Sequence, residues 1–326
     1  MFEELRNSTF LVTGATGLIG QAIVRKLINI NAKVIAVVRD VEKAEKLFGL
    51  NERISYIVSD ITKLDIKIVS VDYIIHAASN TSSRAFVENP VEVASIALEG
   101  TKRVLEIAKL SNVKGLVYLS SMEVYGTPNT DEKIDETHST NIDTMKNRSA
   151  YPESKRMCEC LCASYASQFK VPAKVVRLTQ TFGPGVQYND GRVFAEFARC
   201  VMEGRDIVLH TKGETKRSYL YTDDAVNAIL TVLLKGSTGE AYNAANEETY
   251  CSIYEMAKIV AENCGNGKIK VRIEEKDTSA FGYAPKLCMN LDTGKLQKLG
   301  WKPAMDLTGM FISMINALKR QLKTSQ

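Results

Sequence analysis

The stretch RSAYPESKRM, residues 148–157, sets Tyr151 and Lys155 four positions apart with Pro152 between them. On a helix that spacing places both side chains on one face. Proline is tolerated in a first helical turn, where its missing N–H costs nothing. Tyr151 is therefore expected at a helix start, with Lys155 one turn on. A free phenol titrates near about 10, and a neighbouring ammonium and the positive end of a helix both favour the phenolate. The pair is expected to bring Tyr151 toward the range of a general base near neutral pH. The plain alternative is a packed tyrosine and a solvated lysine. A third group comes from LVYLSSMEVYG, where Ser120 and Ser121 close a strand pattern. Open α/β sheets place their ligands at such carboxyl ends, and a serine hydroxyl there can hold a substrate hydroxyl or its carbonyl product.

Upstream, LVTGATGLIGQAIV carries Gly14, Gly17 and Gly20 between a strand and a helix. The first glycine permits a tight turn, the second a close approach to a pyrophosphate, and the third close packing of helix on strand. The unpaired N–H groups of the helix start then face the phosphates. The second strand ends VIAVVRD, with Arg39 at its tip and Asp40 next. An acidic residue there suits the ribose hydroxyls of NAD and an arginine the 2′-phosphate of NADP. Because Arg39 comes first, the reading leans to NADP and leaves NAD open. Together these groups describe hydride transfer, with Tyr151 taking the proton from a carbinol.

The elements that must position these groups alternate. TFLVTG, KVIAVV, ISYIVSD, VDYIIHAA, KGLVYLSS and KVVRL read as strands, separated by helical patterns at 18–30, over VEKAEKLFG and EGTKRVLEIAKLS, and at about 152–169. That alternation predicts an α/β fold with a Rossmann-type, doubly wound parallel sheet. After Leu178 come a Gly- and Pro-bearing loop, then helices near 192–204, 223–235, 252–264 and 306–322. Residues 1–180, with segments returning near 218–243, are expected to bind the dinucleotide. Residues 181–326 are expected to form a smaller α+β lobe for the substrate.

Composition narrows the function classes. The net charge of +4, from 42 basic and 38 acidic residues, gives no reason to expect nucleic acid or a membrane as partner. No apolar run reaches the roughly 18 residues of a membrane span, and the first residues run straight into a strand, so no signal peptide is expected. Seven cysteines read as reduced thiols in a cytoplasmic protein. Cys158, Cys160 and Cys162 lie in a helical pattern with no nearby histidine, so no metal is expected. His76, His138 and His210 are the only histidines and suggest no triad.

In combination, the chain resembles the extended short-chain dehydrogenase/reductases of the nucleotide-sugar epimerase/dehydratase group. The likeness rests on T-G-x-x-G-x-x-G at 13–20, SD ending at Asp60, HAAS at 76–79, SSMEVYG at 120–126, Tyr151-x-x-x-Lys155, FGPG at 182–185, RSYLYTDDAV at 217–226 and YNAAN at 242–246. It covers nearly the whole chain. The resemblance implies Ser121, Tyr151 and Lys155 as the catalytic set, with Lys155 also holding the nicotinamide ribose. It implies a cofactor cradle of Gly14, Thr16, Gly17, Leu18, Ile19, Gly20, Arg39, Asp60, Ile61, Ala77, Ala78 and Ser79. It implies a nucleoside-diphosphate-sugar substrate, and a homodimer pairing helices near 84–109 and 152–169. YPESKRMCECLCASYASQF and GPGVQYNDGRVFAEF look similar to UDP-glucuronate decarboxylases, in which the glutamate equivalent to Glu123 assists chemistry at the sugar.

Several positions depart from the group. Ala97 stands where an asparagine is usual, and so does Gln180, at a position that contacts the substrate phosphates. Tyr283 and Ala284 stand where an arginine is often found. Arg192 and Arg217 remain as candidates for the diphosphate, because planar guanidinium forks suit phosphate oxygens. Three functions compete: an epimerase or decarboxylase oxidising a nucleotide sugar transiently at C4, an NADPH-dependent reductase of a small carbonyl compound, and a binding module that lost the reaction. Arg39 favours the second and Ala97 the second or third. The intact Ser121, Tyr151 and Lys155 argue against the third.

Overall fold

The computed structural model describes residues 2–67, 70–276 and 286–324. Its first half runs β1 (Thr9–Thr13), α1 (Leu18–Asn29), β2 (Lys33–Val38), α2 (Val41–Phe48), β3 (Ile54–Val58), β4 (Tyr73–His76), α3 (Ser83–Glu88), α4 (Pro90–Leu110), β5 (Gly115–Ser121), α5 (Ala150–Phe169) and β6 (Ala173–Leu178). The second half runs β7 (Gln180–Phe182), α6 (Val193–Glu203), β8 (Ile207–Leu209), β9 (Lys216–Tyr221), α7 (Thr222–Lys235), β10 (Ala241–Ala244), β11 (Asn246–Ser252), α8 (Ile253–Asn263), β12 (Val271–Ile273), β13 (Cys288–Met289), α9 (Gly294–Gln297) and α10 (Leu307–Thr324).

The main sheet has seven parallel strands in the order β10-β6-β5-β4-β1-β2-β3. Both faces are covered, which is why its strands read as almost unbroken apolar runs. Side chains alternate between the faces. Phe10 and Val12 of β1 pack with Ile23 of α1 and Ile229 of α7. Leu11, between them, packs with Val104 of α4 and Cys162 of α5. The strand order turns back between β1 and β4, and that reversal opens a crevice at the carboxyl ends. This is the doubly wound sheet that the sequence pattern predicts.

The second half supplies its own core. Phe182 stacks on Phe194 at 4.6 Å and meets Phe311 at 4.9 Å. β9 pairs with β7, β11 and β13, while α7 and β10 return to the large sheet. Among the described residues, no helix is long and apolar enough to cross a membrane. Two boundaries differ from the sequence reading. The helix expected near 84–109 is two helices, α3 and α4, broken at Asn89 because Pro90 opens the second. The helix expected from about 152 begins at Ala150, so Tyr151 is its second residue.

A buried polar chain ties the first strand to the helix layer. Thr13 Oγ1 lies 2.7 Å from His76 Nδ1, and His76 Nε2 lies 3.1 Å from Thr101 Oγ1. The Thr101 hydroxyl donates to Cys158 Sγ, whose thiol donates to the Ala97 carbonyl. Because Thr101 spends its proton on sulfur, the His76 proton sits on Nε2. Cys158 and Cys162 are buried and Cys160 is exposed, so the first two serve as core side chains on one helix face.

Burial drives the His76 imidazole down to about 3, and the Lys155 charge adds in the same direction. Between about 3 and the ordinary 6.5 the unfolded chain binds a proton that the folded chain refuses. Stability therefore rises with pH across that window and falls as acid is added. His76→Gln should flatten the acid side of the stability–pH curve by up to about 1.4 kcal/mol per pH unit. Urea titrations of both proteins at a series of acid pH values check this. Parallel curves would mean that His76 titrates alike in both states.

Candidate active site

The glycine turn sits where β1 meets α1, in the crevice. Gly14 has φ +66, and a Cβ there would lie 2.7 Å from the backbone of Ala77 and Ala78. At Gly20 an added Cβ would lie 2.1 Å from the Gly14 carbonyl oxygen. Gly17 is exposed, and a Cβ there would meet only the Gly14 oxygen, at 3.3 Å. It is the N-cap of α1, no side chain caps that helix, and its first turn holds no acidic residue. Free N–H groups and an open backbone at a helix start are what a pyrophosphate requires. Thr16, Leu18 and Ile19 are half-buried along this turn, with Ala77, Ala78 and Ser79 at the end of neighbouring β4. The Ala78 N–H donates to Thr13 Oγ1 at 3.2 Å, so the buried chain below also holds this rim.

At the outer edge, Arg39 is exposed just past β2. Asp40 is the N-cap of α2 and accepts from the Lys43 N–H at 2.9 Å. Asp60 accepts from the Thr62 hydroxyl and N–H, and those bonds, then Arg39 and Lys63, hold its carboxyl below the ordinary range against some burial. Ile61 beside it is buried against the Gly100 face of α4.

The catalytic candidates converge at the end of β5. Ser121 ends the strand, and its Oγ accepts from the Glu123 N–H at 3.2 Å. Ser120 points the other way, into a bond with Glu159. Tyr151 is 6% exposed, and its ring stacks on Phe86 of α3 at 4.1 Å. Lys155 is buried; its ammonium donates to the Leu119 carbonyl at 2.8 Å and lies 4.7 Å from the Tyr118 ring centre. Glu123 is held by Arg148 through two bonds, of 2.8 and 3.1 Å.

The charge balance differs from the expectation drawn from the Tyr–Lys spacing. Burial raises the Tyr151 phenol well above its ordinary value and Glu123 adds to the rise, while Ser121 and Arg148 oppose it. Lys155 is a cation beside the phenol rather than a partner bonded to it. Its ammonium, 5.8 Å from the Tyr151 ring centre, is turned to a carbonyl, and burial lowers its own pKa to about 8. The spacing put the two residues on one face, but the direction of the lysine tip was decided by the strand beneath it.

The substrate candidates separate. Gln180 of β7 accepts from Arg217 Nη1 at 2.9 Å, and Arg217 Nε is buried without a hydrogen-bond partner. This pair lies just past the β6 end that registers with Ser121. Arg192 is already engaged by Asp190 through bonds of 2.6, 2.9 and 3.2 Å. Ala97 is packed in the helix layer. Tyr283 and Ala284 lie outside the described residues. Sequence reasoning missed Arg148 and Phe86. Arg148 stood three residues before Tyr151, but nothing in the sequence joins it to Glu123, and Phe86 carries no signal at all.

A doubly wound parallel sheet, with a glycine turn at its reversal and a Tyr–Lys helix beside it, defines a short-chain dehydrogenase/reductase type of fold. The comparisons narrow the class. Residues 10–245 match the family model described as "NAD dependent epimerase/dehydratase family". The chain is 30% identical to UDP-glucuronic acid decarboxylase 6 of Arabidopsis thaliana, over 94% of its own length and 90% of the relative's. It is 27% identical to UDP-glucuronic acid decarboxylase 1 of Xenopus tropicalis, over 98% of its own length and 74% of the relative's. The crystal structure of UDP-glucose 4-epimerase from Thermotoga maritima, with UDP-glucose, superposes with a TM-score of 0.81. That structure is 23% identical, covering 96% of this chain and 99% of the other, and bears on the fold alone. The chain belongs to the NAD-dependent epimerase/dehydratase family and is an enzyme.

Gly17→Ala separates binding from folding. The new methyl group meets little protein, so the melting temperature should move by no more than about 4 °C, while dinucleotide affinity should fall at least about tenfold. Calorimetric titration with NAD and NADP, beside a thermal melt, reads both. Unchanged affinity would place the pyrophosphate elsewhere.

Proposed function

We propose that this enzyme modifies a nucleoside-diphosphate sugar by transient oxidation at C4, as a decarboxylase or an epimerase. The observation that carries the reading is the meeting of Ser121, Tyr151, Lys155 and Glu123 at the carboxyl end of β5, beside the glycine turn. The two decarboxylase relatives, named for UDP-glucuronic acid, make UDP-glucuronate the first substrate to test. In this reading residues 1–180 hold the dinucleotide, and residues 181–326, together with Gln180, hold the sugar nucleotide.

The groups present fit a bound dinucleotide. The uncapped start of α1 and the bare Gly17 backbone would take the pyrophosphate, Asp60 and Ile61 would hold the adenine side, and Ala77, Ala78 and Ser79 would back it. A bound nicotinamide would supply a reversible hydride acceptor for C4. Tyr151 takes the C4 hydroxyl proton. Ser121 holds the oxygen that loses it. Lys155 supplies a buried positive charge below the phenol and takes the nicotinamide ribose. Arg217, with a free Nε, takes a phosphate oxygen, and Gln180 orients that guanidinium. Arg192 contributes only if Asp190 releases it.

A ketone at C4 acidifies C5 and labilises a C6 carboxylate, so Glu123 at the mouth suits either proton transfer at the ring or loss of carbon dioxide. Dehydration across C5 and C6 needs an acid beside the leaving hydroxyl. Position 122 is a methionine whose sulfur lies 3.4 Å from the Thr179 hydroxyl oxygen within a small apolar core. The proposal therefore excludes 4,6-dehydration.

Arg39 at the open edge, with Asp40 occupied as a helix cap, supports NADP over NAD. Two copies are proposed to pair through α4 and α5, where Val91, Leu110 and Met157 are 78%, 57% and 49% exposed. A monomeric mass by light scattering would exclude that pairing.

Tyr151→Phe keeps the ring stacked on Phe86 and removes only the ionisable hydroxyl. Turnover of UDP-glucuronate, followed by NMR, should fall about 10²–10⁴-fold. Retained turnover sinks the assignment, and formation of a 4-keto-6-deoxy product from any nucleotide hexose at about 1 s⁻¹ or faster sinks the exclusion of dehydration. Arg39→Ala should weaken NADP by about 1.5–3 kcal/mol and NAD by less. Tighter binding of NAD by the unaltered protein would reverse the cofactor reading.

A further inference from the structure

We propose that Arg148 is a positioning residue for the reaction: it clamps Glu123 at the mouth of the Tyr151 site and supplies the charge that lets a carboxylate and a buried phenol share that mouth. The proposal deepens the reading above and rests on Tyr151 being the proton acceptor.

Three features of the geometry support it. First, Arg148 meets Glu123 with both terminal nitrogens, at 2.8 and 3.1 Å, which fixes the carboxylate plane as well as its place. Second, the guanidinium carbon lies 5.8 Å from the Phe86 ring centre, and Phe86 stacks on Tyr151 at 4.1 Å and 15°. The guanidinium therefore stands over the phenyl ring that stacks on the phenol, at cation–π range. Third, the turn Asn147–Ser149 that carries Arg148 runs directly into α5, and the Ser149 hydroxyl anchors it on the Asp143 carbonyl at 2.6 Å. Arg148 and Tyr151 thus belong to one continuous segment.

A purely structural role accounts poorly for this pair. The side chains are 31% and 25% exposed, and ion pairs open to water add little stability. Their electrostatic effect on Tyr151 is opposed in sign: Glu123 disfavours the phenolate and Arg148 favours it. The other groups facing Tyr151 do not replace Arg148. Ser121 and Tyr118 on β5 are neutral, and the Lys155 ammonium, a second cation 5.8 Å from the Tyr151 ring centre, donates to the Leu119 carbonyl rather than to Glu123. Arg84 and Glu88 on α3 pair with each other at 2.7 Å. Removing Arg148 would leave the Glu123 charge uncompensated beside the phenol.

The test replaces Tyr151 with 3,5-difluorotyrosine by site-specific incorporation, which lowers the phenol's titration into an accessible range, and follows it by fluorine NMR. Arg148→Gln should raise the titration midpoint, Glu123→Gln should lower it, and the double variant should return it close to the parent value. Arg148→Lys keeps the charge without the two-pronged fork. It should leave the midpoint near the parent value, yet cut kcat on UDP-glucuronate at least about tenfold with KM changed by no more than about twofold. Midpoints that do not move in either single variant overturn the charge role. Full kcat in Arg148→Lys overturns the clamp. If Arg148→Gln does not fold, the Glu123→Gln and Arg148→Lys arms still decide. The NMR arm needs no turnover, so a wrong substrate would leave its result intact.

Discussion

The buried pair of Arg177 and Glu159 is the interaction on which the site's geometry hangs. Their side chains are 14% and 12% exposed, and they meet through bonds of 2.7, 3.0 and 3.2 Å. Glu159 lies two turns after Tyr151 and one turn after Lys155 on α5, so the pair pins that helix to β6. Ser120 donates to the same carboxylate at 2.5 Å and thereby fixes the end of β5 that presents Ser121. Arg177 also donates to the Tyr125 hydroxyl and the Glu136 carbonyl, and Tyr125 donates to Asn243 on β10. Strand end, helix and the turn bearing Glu123 thus share one anchor. Charges this deep are tolerated because each has several partners, and stripping one partner from such a pair costs about 3–5 kcal/mol.

Around that anchor the chain brings a buried phenol, a carboxylate and two cations together while keeping both cations engaged. Lys155 is held by a carbonyl and Arg148 by Glu123. Burial alone opposes ionisation of both the phenol and the lysine. Burial favours the neutral Tyr151 phenol, with Glu123 adding to that preference and Ser121 and Arg148 opposing it. A nearby cationic ring of the oxidised cofactor would favour the phenolate, which the polypeptide on its own does not.

The second lobe adds anchorage of another kind. Its FGPG loop places the Gly185 carbonyl 3.4 Å from the Gln21 side chain of α1, so the loop lies across the helix that starts at the glycine turn. Arg217 and Gln180 stand at the border between the two cores, with a buried nitrogen still to be satisfied. An unpartnered buried donor costs free energy unless a ligand meets it.

By itself the sequence determined the doubly wound sheet, the glycine turn and the helix that carries Tyr151 and Lys155. Those features are local: period-2 and period-3.6 patterning, glycine spacing and a proline in a first turn act within one element or between neighbours, so each is legible in a single stretch. The helix break at Pro90 was equally local. Tertiary structure alone decided which groups act on one another. The pairing of Glu123 with Arg148, 25 residues apart, the stacking of Phe86 on Tyr151 and the turning of Lys155 toward Leu119 each join elements distant in sequence. The engagement of Arg192 by Asp190 is close in sequence, yet it depends on a side-chain choice that spacing does not express. Electrostatics follows distance and burial rather than residue type, which is why the sequence identified the phenol and the ammonium but not the sign of the balance between them.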